Sequence, residues 1–212
     1  MDTILKDMNP IIQMLIVMSL FSLLPLVFCC MTSFLRFTIV FSLLKTAMGV
    51  QVPPSIVTIG LCMILTFYTM GGVFQQMYEK GSIPYQKNGN LIMAVDEGSK
   101  PLKEFMMKQT RESDLAFFIE LKRKAPPKTP EDITIWEVAP AYILSELKVA
   151  FEIGFVVFVP FIVLDLVVAN ILLALGMFML SPTIISLPFK LLIFIAVDGW
   201  ALIVQGLVTS YN

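Results

Sequence analysis

The chain has 212 residues, 57% of them apolar and 15% charged, with a mean hydropathy of +0.83. That is oilier than a soluble domain, and it places the chain among integral membrane proteins. A formal net charge of −1 with no basic arm argues against nucleic acid as a partner. Histidine is absent, which removes the usual general base, the commonest metal ligand and every Ser-His or Cys-His nucleophile.

Cys29, Cys30 and Cys62 sit in apolar text without C-x-x-C spacing, so they read as small buried hydrophobes; no metal or other cofactor is expected. The first ten residues form a short tail with Asp2, Lys6 and Asp7. Its slightly acidic start, running into an apolar stretch that continues past Met31, predicts an uncleaved first membrane segment instead of a secretory signal. With Pro25 inside it, and broken only by Arg36 and Lys45, this text continues to Gly49. At about 37 residues it far exceeds the ~20 that one span needs. Pro53 and Pro54 then break the pattern, and residues 55–74 are the plainest span, with Gly71-Gly72 read as a helix exit.

Residues 75–139 differ in kind, holding 20 of the 31 charged residues, ten of each sign. Residues 81–90 read as loop. Pro101 starts a predicted helix to residue 109 with Leu102, Phe105 and Met106 as its stripe, and Ser113 caps another over 114–124 with Leu115, Phe118 and Leu121 inward. A proline-rich linker follows, and Thr129-Pro130-Glu131-Asp132 reads as the start of the next helix. The insert is expected to be helical and water-facing, without a core of its own.

Beyond Pro140 two apolar segments, 151–180 and 187–208, flank a proline-bearing turn at 181–186. The predicted fold is therefore an all-α membrane protein with four apolar segments as helical hairpins. Its parts are an N-terminal pair (1–74), the hydrophilic insert (75–139) and a C-terminal hairpin (140–212). Arg36, Lys45 and Lys190 lie in or beside the two short connections, so the positive-inside rule puts those connections in the cytoplasm and the insert outside.

The oily C-terminal text carries Glu146, Lys148, Glu152, Asp165, Lys190 and Asp198, more charge than packing requires. Glu146 and Lys190, on opposite arms of the expected hairpin, are predicted to pair within or between subunits, the alternative being that each snorkels to an interface. Lys148 and Glu152 have the spacing of an intrahelical pair. Asp165 shares a helical face with Ala169, Leu172 and Gly176. It reads either as an ion-pathway residue or as a helix-packing acceptor, and Asp198 likewise. Arg36 reads as a cytoplasmic-side anchor.

The same text resembles the FliP/SctR family of type III secretion export apparatus. The resemblance rests on Pro140-Ala141-Tyr142, Leu144-Ser145-Glu146-Leu147-Lys148 and Ala150-Phe151-Glu152-Ile153-Gly154-Phe155. It continues through Pro160-Phe161, Asp165-Leu166-Val167, Ala174-Leu175-Gly176-Met177, Leu187-Pro188-Phe189-Lys190-Leu191 and Asp198-Gly199-Trp200, with weaker matches at Leu35-Arg36-Phe37-Thr38 and Pro53-Pro54. It implies a non-enzymatic gate subunit of the bacterial inner membrane. About five copies would assemble with SctS- and SctT-like membrane subunits and other export proteins, and would conduct unfolded secreted polypeptides. The family's methionine run falls here on Met177, Phe178 and Met179, implying a pore gasket with an aromatic in its middle position. The absence of a recognisable signal peptide aligns the chain with the injectisome branch more than the flagellar one. A stand-alone transporter using Asp165, Asp198 and Lys190 is the rival reading, though no inverted repeat is visible. A membrane enzyme lacks any recognisable catalytic set.

Overall fold

The computed structural model describes residues 10–50, 53–88, 91–122, 129 and 132–211, and all regular structure among them is helical. The elements are α1 (Pro10–Met31), α2 (Phe34–Met48), α3 (Ser55–Asn88), α4 (Leu91–Gln109), α5 (Glu112–Lys122), α6 (Ile135–Ala174), α7 (Pro182–Ala196) and α8 (Gly199–Thr209). The chain is thus an all-α membrane protein. Two helical stretches, Ser55–Ile83 and Ile135–Ala174, are long and apolar enough to cross a bilayer. Two bent pairs reach that length only if each counts as one broken span: Pro25–Met31 with Phe34–Met48, bent by 80°, and Pro182–Ala196 with Gly199–Thr209, bent by 62°.

The first bend explains the over-long N-terminal run. At Thr32 and Ser33 hydroxyl groups compete with the helical ladder. Thr32 Oγ1 donates to the Phe28 carbonyl and accepts from the Phe34 N–H, while the Ser33 hydroxyl bonds Thr69 of α3 at 3.0 Å. The chain turns there, and α2 enters the protein interior. Phe37, Val40, Phe41, Leu44 and Ala47 of α2 are buried, together with Cys62 and Leu65 of α3, Ala150 and Phe161 of α6, Phe194 of α7 and Leu207 of α8. At the approach of α2 to α6, Gly154 makes room for Leu43: a Cβ there would lie 2.2 Å from Leu43 Cδ1, and the leucine would have to turn aside. Of the two readings open to the over-long run, protrusion or packing in protein, α2 takes the second.

Helix α3 does not end at Gly71-Gly72; it continues to Asn88, ~50 Å in all, and folds back antiparallel on α4. Gly81, expected in a loop, is helical. It faces Gly98, where a Cβ would stand 3.4 Å from the Gly81 Cα, so the two glycines let the backbones meet. Pro101 falls inside α4 instead of starting it. Helix α5 starts at Glu112, one residue before the expected cap. The predicted start at 129–132 lies partly outside the described residues; α6 begins at Ile135 behind a capping box in which Thr134 and Glu137 satisfy each other's backbone. The apolar packing of the insert is shared with its neighbours: Leu102 and Met106 bury against Met70, Val138 and Tyr142, so it is docked on the start of α6.

Helix α6 is 40 residues long, or ~60 Å. Helix α7 returns along its far end, and α8 follows a kink at Asp198 in the left-handed region (φ 50°), bringing Tyr211 back to Glu146. Gly199 lies against the Phe194 ring, 2.3 Å from where its Cβ would be, so the corner closes on an aromatic that also packs edge-on against Trp200.

Candidate functional site: the exposed turn and its buried charges

The turn between α6 and α7 is built by helix-end chemistry. Gly176 adopts φ 73° with open space around it, so backbone conformation and not crowding calls for glycine. Its N–H bonds the Leu173 carbonyl at 3.1 Å, and the Met177 N–H bonds the Leu172 carbonyl at 2.9 Å. This double bond pattern stops α6 abruptly. Pro182, whose missing N–H and fixed φ suit a first helical position, starts α7. The turn therefore falls at 175–181, before the expected 181–186. Met177, Phe178 and Met179 are carried at its tip, 45%, 76% and 100% exposed, so Met179 is wholly uncovered, Phe178 largely so and Met177 about half.

Below the turn lies the first charge cluster. Lys190 of α7, only 2% exposed, donates to Asp165 Oδ2 of α6 at 2.7 Å and to the Ala47 carbonyl at 3.1 Å. Ser186 donates to the other Asp165 oxygen and shares its proton with the Thr183 carbonyl. An α6–α7 ion pair is thus tied to the C-terminal end of α2, where the helix dipole also favours a cation. Asp165 is held as a packing acceptor, with no partner in common with Asp198. Asp198 is exposed at the α7–α8 corner and makes no side-chain cap.

The second cluster sits ~30 Å away along α6, by the 19-residue separation of Glu146 and Asp165. Arg36 grips Glu146 with two parallel bonds, Nε to Oε2 at 2.8 Å and Nη2 to Oε1 at 2.5 Å. Its remaining nitrogen donates to the Ser210 hydroxyl (2.9 Å) and carbonyl (3.3 Å). Tyr211 donates its hydroxyl to Glu146 Oε2 at 2.6 Å, with the guanidinium centred 3.9 Å over its ring. Both charged residues are essentially inaccessible to water. Fork geometry, aromatic stacking and full hydrogen bonding are the conditions under which a buried pair persists. The adjacent Tyr142 hydroxyl is the one buried side-chain polar atom among the described residues that lacks a hydrogen bond.

A third cluster docks the insert. Asp114 of α5 pairs with Lys148 and accepts from Ser145 Oγ at 2.8 Å, while Arg111 reaches Glu152 at 2.6 Å. Burial pushes the Asp114 carboxyl up. The hydrogen bonds from Lys148 and Ser145 and the charges of Lys148 and Arg111 outweigh that and hold it below its ordinary value.

Three sequence expectations are corrected within the chain. Glu146 and Lys190 do not pair with each other within one chain: Glu146 lies 28 residues, ~42 Å, from the end of α6, whereas Lys190 lies only ~12 Å into α7. Asp165, nine residues from the end of α6, is at the matching depth. Lys148 and Glu152 each meet a residue of the insert in place of one another, because α5 brings Asp114 and Arg111 across their face. Arg36 is no interfacial anchor; the bend at Ser33 turns it into the core. Sequence reasoning missed Tyr211, Ser210, Asp114 and Ser186. The available signal was isolated charge: Arg36, Asp165 and Lys190 each stand alone in apolar text, so each calls for a partner elsewhere in the chain.

The FliP family profile matches residues 17–207. Flagellar biosynthetic protein FliP of Pectobacterium carotovorum subsp. carotovorum is 43% identical, covering 94% of this chain and 78% of the relative. The protein of the same name in Bacillus subtilis is 40% identical, covering 97% and 94%. Yop proteins translocation protein R of Yersinia pestis is 42% identical, covering 95% and 96%. A match over nearly all of the described structure, with relatives aligned over most of their length, leads to one conclusion: the chain belongs to the FliP family.

Proposed function

We propose that this chain is a structural, pore- and gate-forming subunit of a type III protein export apparatus in the bacterial inner membrane. About five copies assemble with SctS- and SctT-like subunits and conduct unfolded secreted polypeptides. No covalent step is involved; the work is assembly, sealing and opening. The observation that carries this reading is the turn at 175–181, where two thioethers and an aromatic ring stand exposed, Met179 fully and Met177 about half, on a hairpin braced by Asp165, Lys190 and Ser186. Brought together around an axis, such side chains seal against one another and deform around chains of varied shape, because methionine is flexible and polarizable. Exposed apolar side chains along α6, including Phe151, Phe155 and Leu166, supply surface for neighbouring subunits. In this assembly the insert faces the periplasm.

The injectisome branch is the primary reading and the flagellar branch the alternative, since identity to relatives of the two names is nearly equal. Native mass spectrometry of the gently purified protein, co-expressed with its SctS- and SctT-like partners, tests the assembly. Several copies carrying two smaller hydrophobic partners are expected. A partnerless monomer under conditions that preserve other membrane complexes refutes it and favours a stand-alone transporter, with Asp165 the residue to mutate. Truncating Met177 and Met179 to alanine should raise ion leakage through the assembled complex while secretion continues. Unchanged leakage removes the gasket role. Restored secretion in a strain lacking translocation protein R, against restored motility in one lacking flagellar FliP, distinguishes the branches.

A further inference from the structure

Outside the hydrophilic insert and the first ten residues, the chain holds eight charged side chains in apolar text. Six of them are answered within the chain: Arg36 by Glu146, Lys190 by Asp165, and Lys148 and Glu152 by Asp114 and Arg111 of the insert. Lys45 and Asp198 remain, one of each sign, and neither makes a hydrogen bond or ion pair among the described residues. Lys45 is half-buried in the last turn of α2, and no carboxylate lines the groove beside it. Asp198 stands exposed at the corner between α7 and α8, where its side chain leaves α8 uncapped. Its left-handed backbone would suit asparagine or glycine equally well, so conformation does not call for the charge.

The surface around Asp198 is apolar: Leu192, Ile195, Val197 and Leu202, all within six positions of it, expose their side chains. Such a surface marks a contact with lipid or protein. Under either cover a carboxylate without a counter-charge is costly. The depth of Lys45 fits that need. Lys190 of α7 donates to the Ala47 carbonyl of α2, which puts those two residues at one level. From there Asp198 lies eight residues further along α7, ~12 Å, and Lys45 two residues back along α2, ~3 Å. Both displacements run towards the Glu146 cluster, since α2 sets out from it at Arg36 and α8 leads to it at Tyr211. The two charges thus sit within ~9 Å of a common level. A small rise from copy to copy, with the flexible four-carbon stem of lysine, closes that difference.

We propose that the α7–α8 corner docks on a second copy of this chain, with Asp198 of one copy paired to Lys45 of the next. The contact is head-to-tail: each copy offers one cation and one carboxylate from different helices, so a repeat around an axis uses every one of them once and leaves no inner charge unanswered. Ile195, Val197 and Leu202 surround the pair and exclude water from it. The inference rests on the multi-copy assembly proposed above and names one contact that orders it, apart from the seal at the exposed turn.

The test uses the full chain co-expressed with its SctS- and SctT-like partners and counts copies by native mass spectrometry. Lys45→Asp and Asp198→Lys each set like charges face to face and should lower the multi-copy fraction at least about tenfold. The double reversal, Lys45→Asp with Asp198→Lys, should restore it. Co-expressing the two single variants should restore it as well, since alternating copies regain opposite charges at every contact; two misfolded chains would not rescue each other. A wild type that never exceeds one copy overturns the assembly reading and this contact with it. A wild type that assembles no better than the single reversals, or a loss that neither the double reversal nor the mixture recovers, overturns the contact alone. So does a zero-length carbodiimide cross-link that joins Lys45 or Asp198 to a smaller partner in place of a second copy.

Discussion

Replacing Glu146 with alanine strips the Arg36 guanidinium of its counter-charge at a site with almost no access to water. Three charge-assisted bonds vanish, two from Arg36 and one from Tyr211. At about 1.5–3 kcal/mol each their sum would be an overestimate, because the relief of carboxylate desolvation offsets part of it. Breaking one side of a buried pair costs about 3–5 kcal/mol, and that is the expected loss. Arg36 keeps its contacts with Ser210, but these are neutral and leave the charge uncompensated. The joint replacement Arg36→Met with Glu146→Leu removes both charges together and should cost far less than the single change. Reversible unfolding in mixed micelles, followed by helicity, reads both variants on one scale. If Glu146→Ala unfolds within about 1 kcal/mol of wild type, or if the double replacement is worse than the single one, the pair is not the fastening point of α2, α6 and the C-terminal segment.

Lys190→Met leaves Asp165 a third exposed and still bonded to Ser186, so it should cost less than the Glu146 change, about 1–3 kcal/mol by the same micelle assay. Adding Asp165→Asn should recover part of that loss; no recovery would mean that the two residues act independently. Gly176→Ala places a side chain at φ 73° with open space around it, so it should cost only about 1 kcal/mol. Gly199→Ala collides with the Phe194 ring and should cost more, about 1–3 kcal/mol; a reversed order in thermal unfolding refutes the assignment of conformation to one glycine and space to the other. Asp114 titrates below its ordinary value when folded. Its contribution to docking the insert is therefore complete above the unfolded pKa and is lost as pH falls through the lower folded one. Hydrogen exchange of α5 should rise only in that acidic window, and Asp114→Asn should flatten the dependence.

Membrane class, helical content and the break at Pro53-Pro54 were legible in the sequence, because composition and proline act locally; Pro182 was read as part of a turn, whereas it starts a helix. The family was legible too, through blocks of residues kept in order along the chain. Which charges meet was not. Helix periodicity places Asp165 and Glu146 on faces of α6. Whether Lys190 reaches either depends on where Gly176 ends that helix, and only the packed hairpin sets that register. Arg36 shows the same limit: one bend at Thr32 and Ser33 changes it from a surface anchor into the centre of a buried cluster. Gly81 shows it again, turned from a loop signal into a helix contact by Gly98 of α4. The sequence by itself determined what kind of solvent the chain is made for and roughly where its helices run. Only the tertiary structure decided which buried charge answers which, since burial penalises every unpaired charge alike and three-dimensional proximity selects the partner.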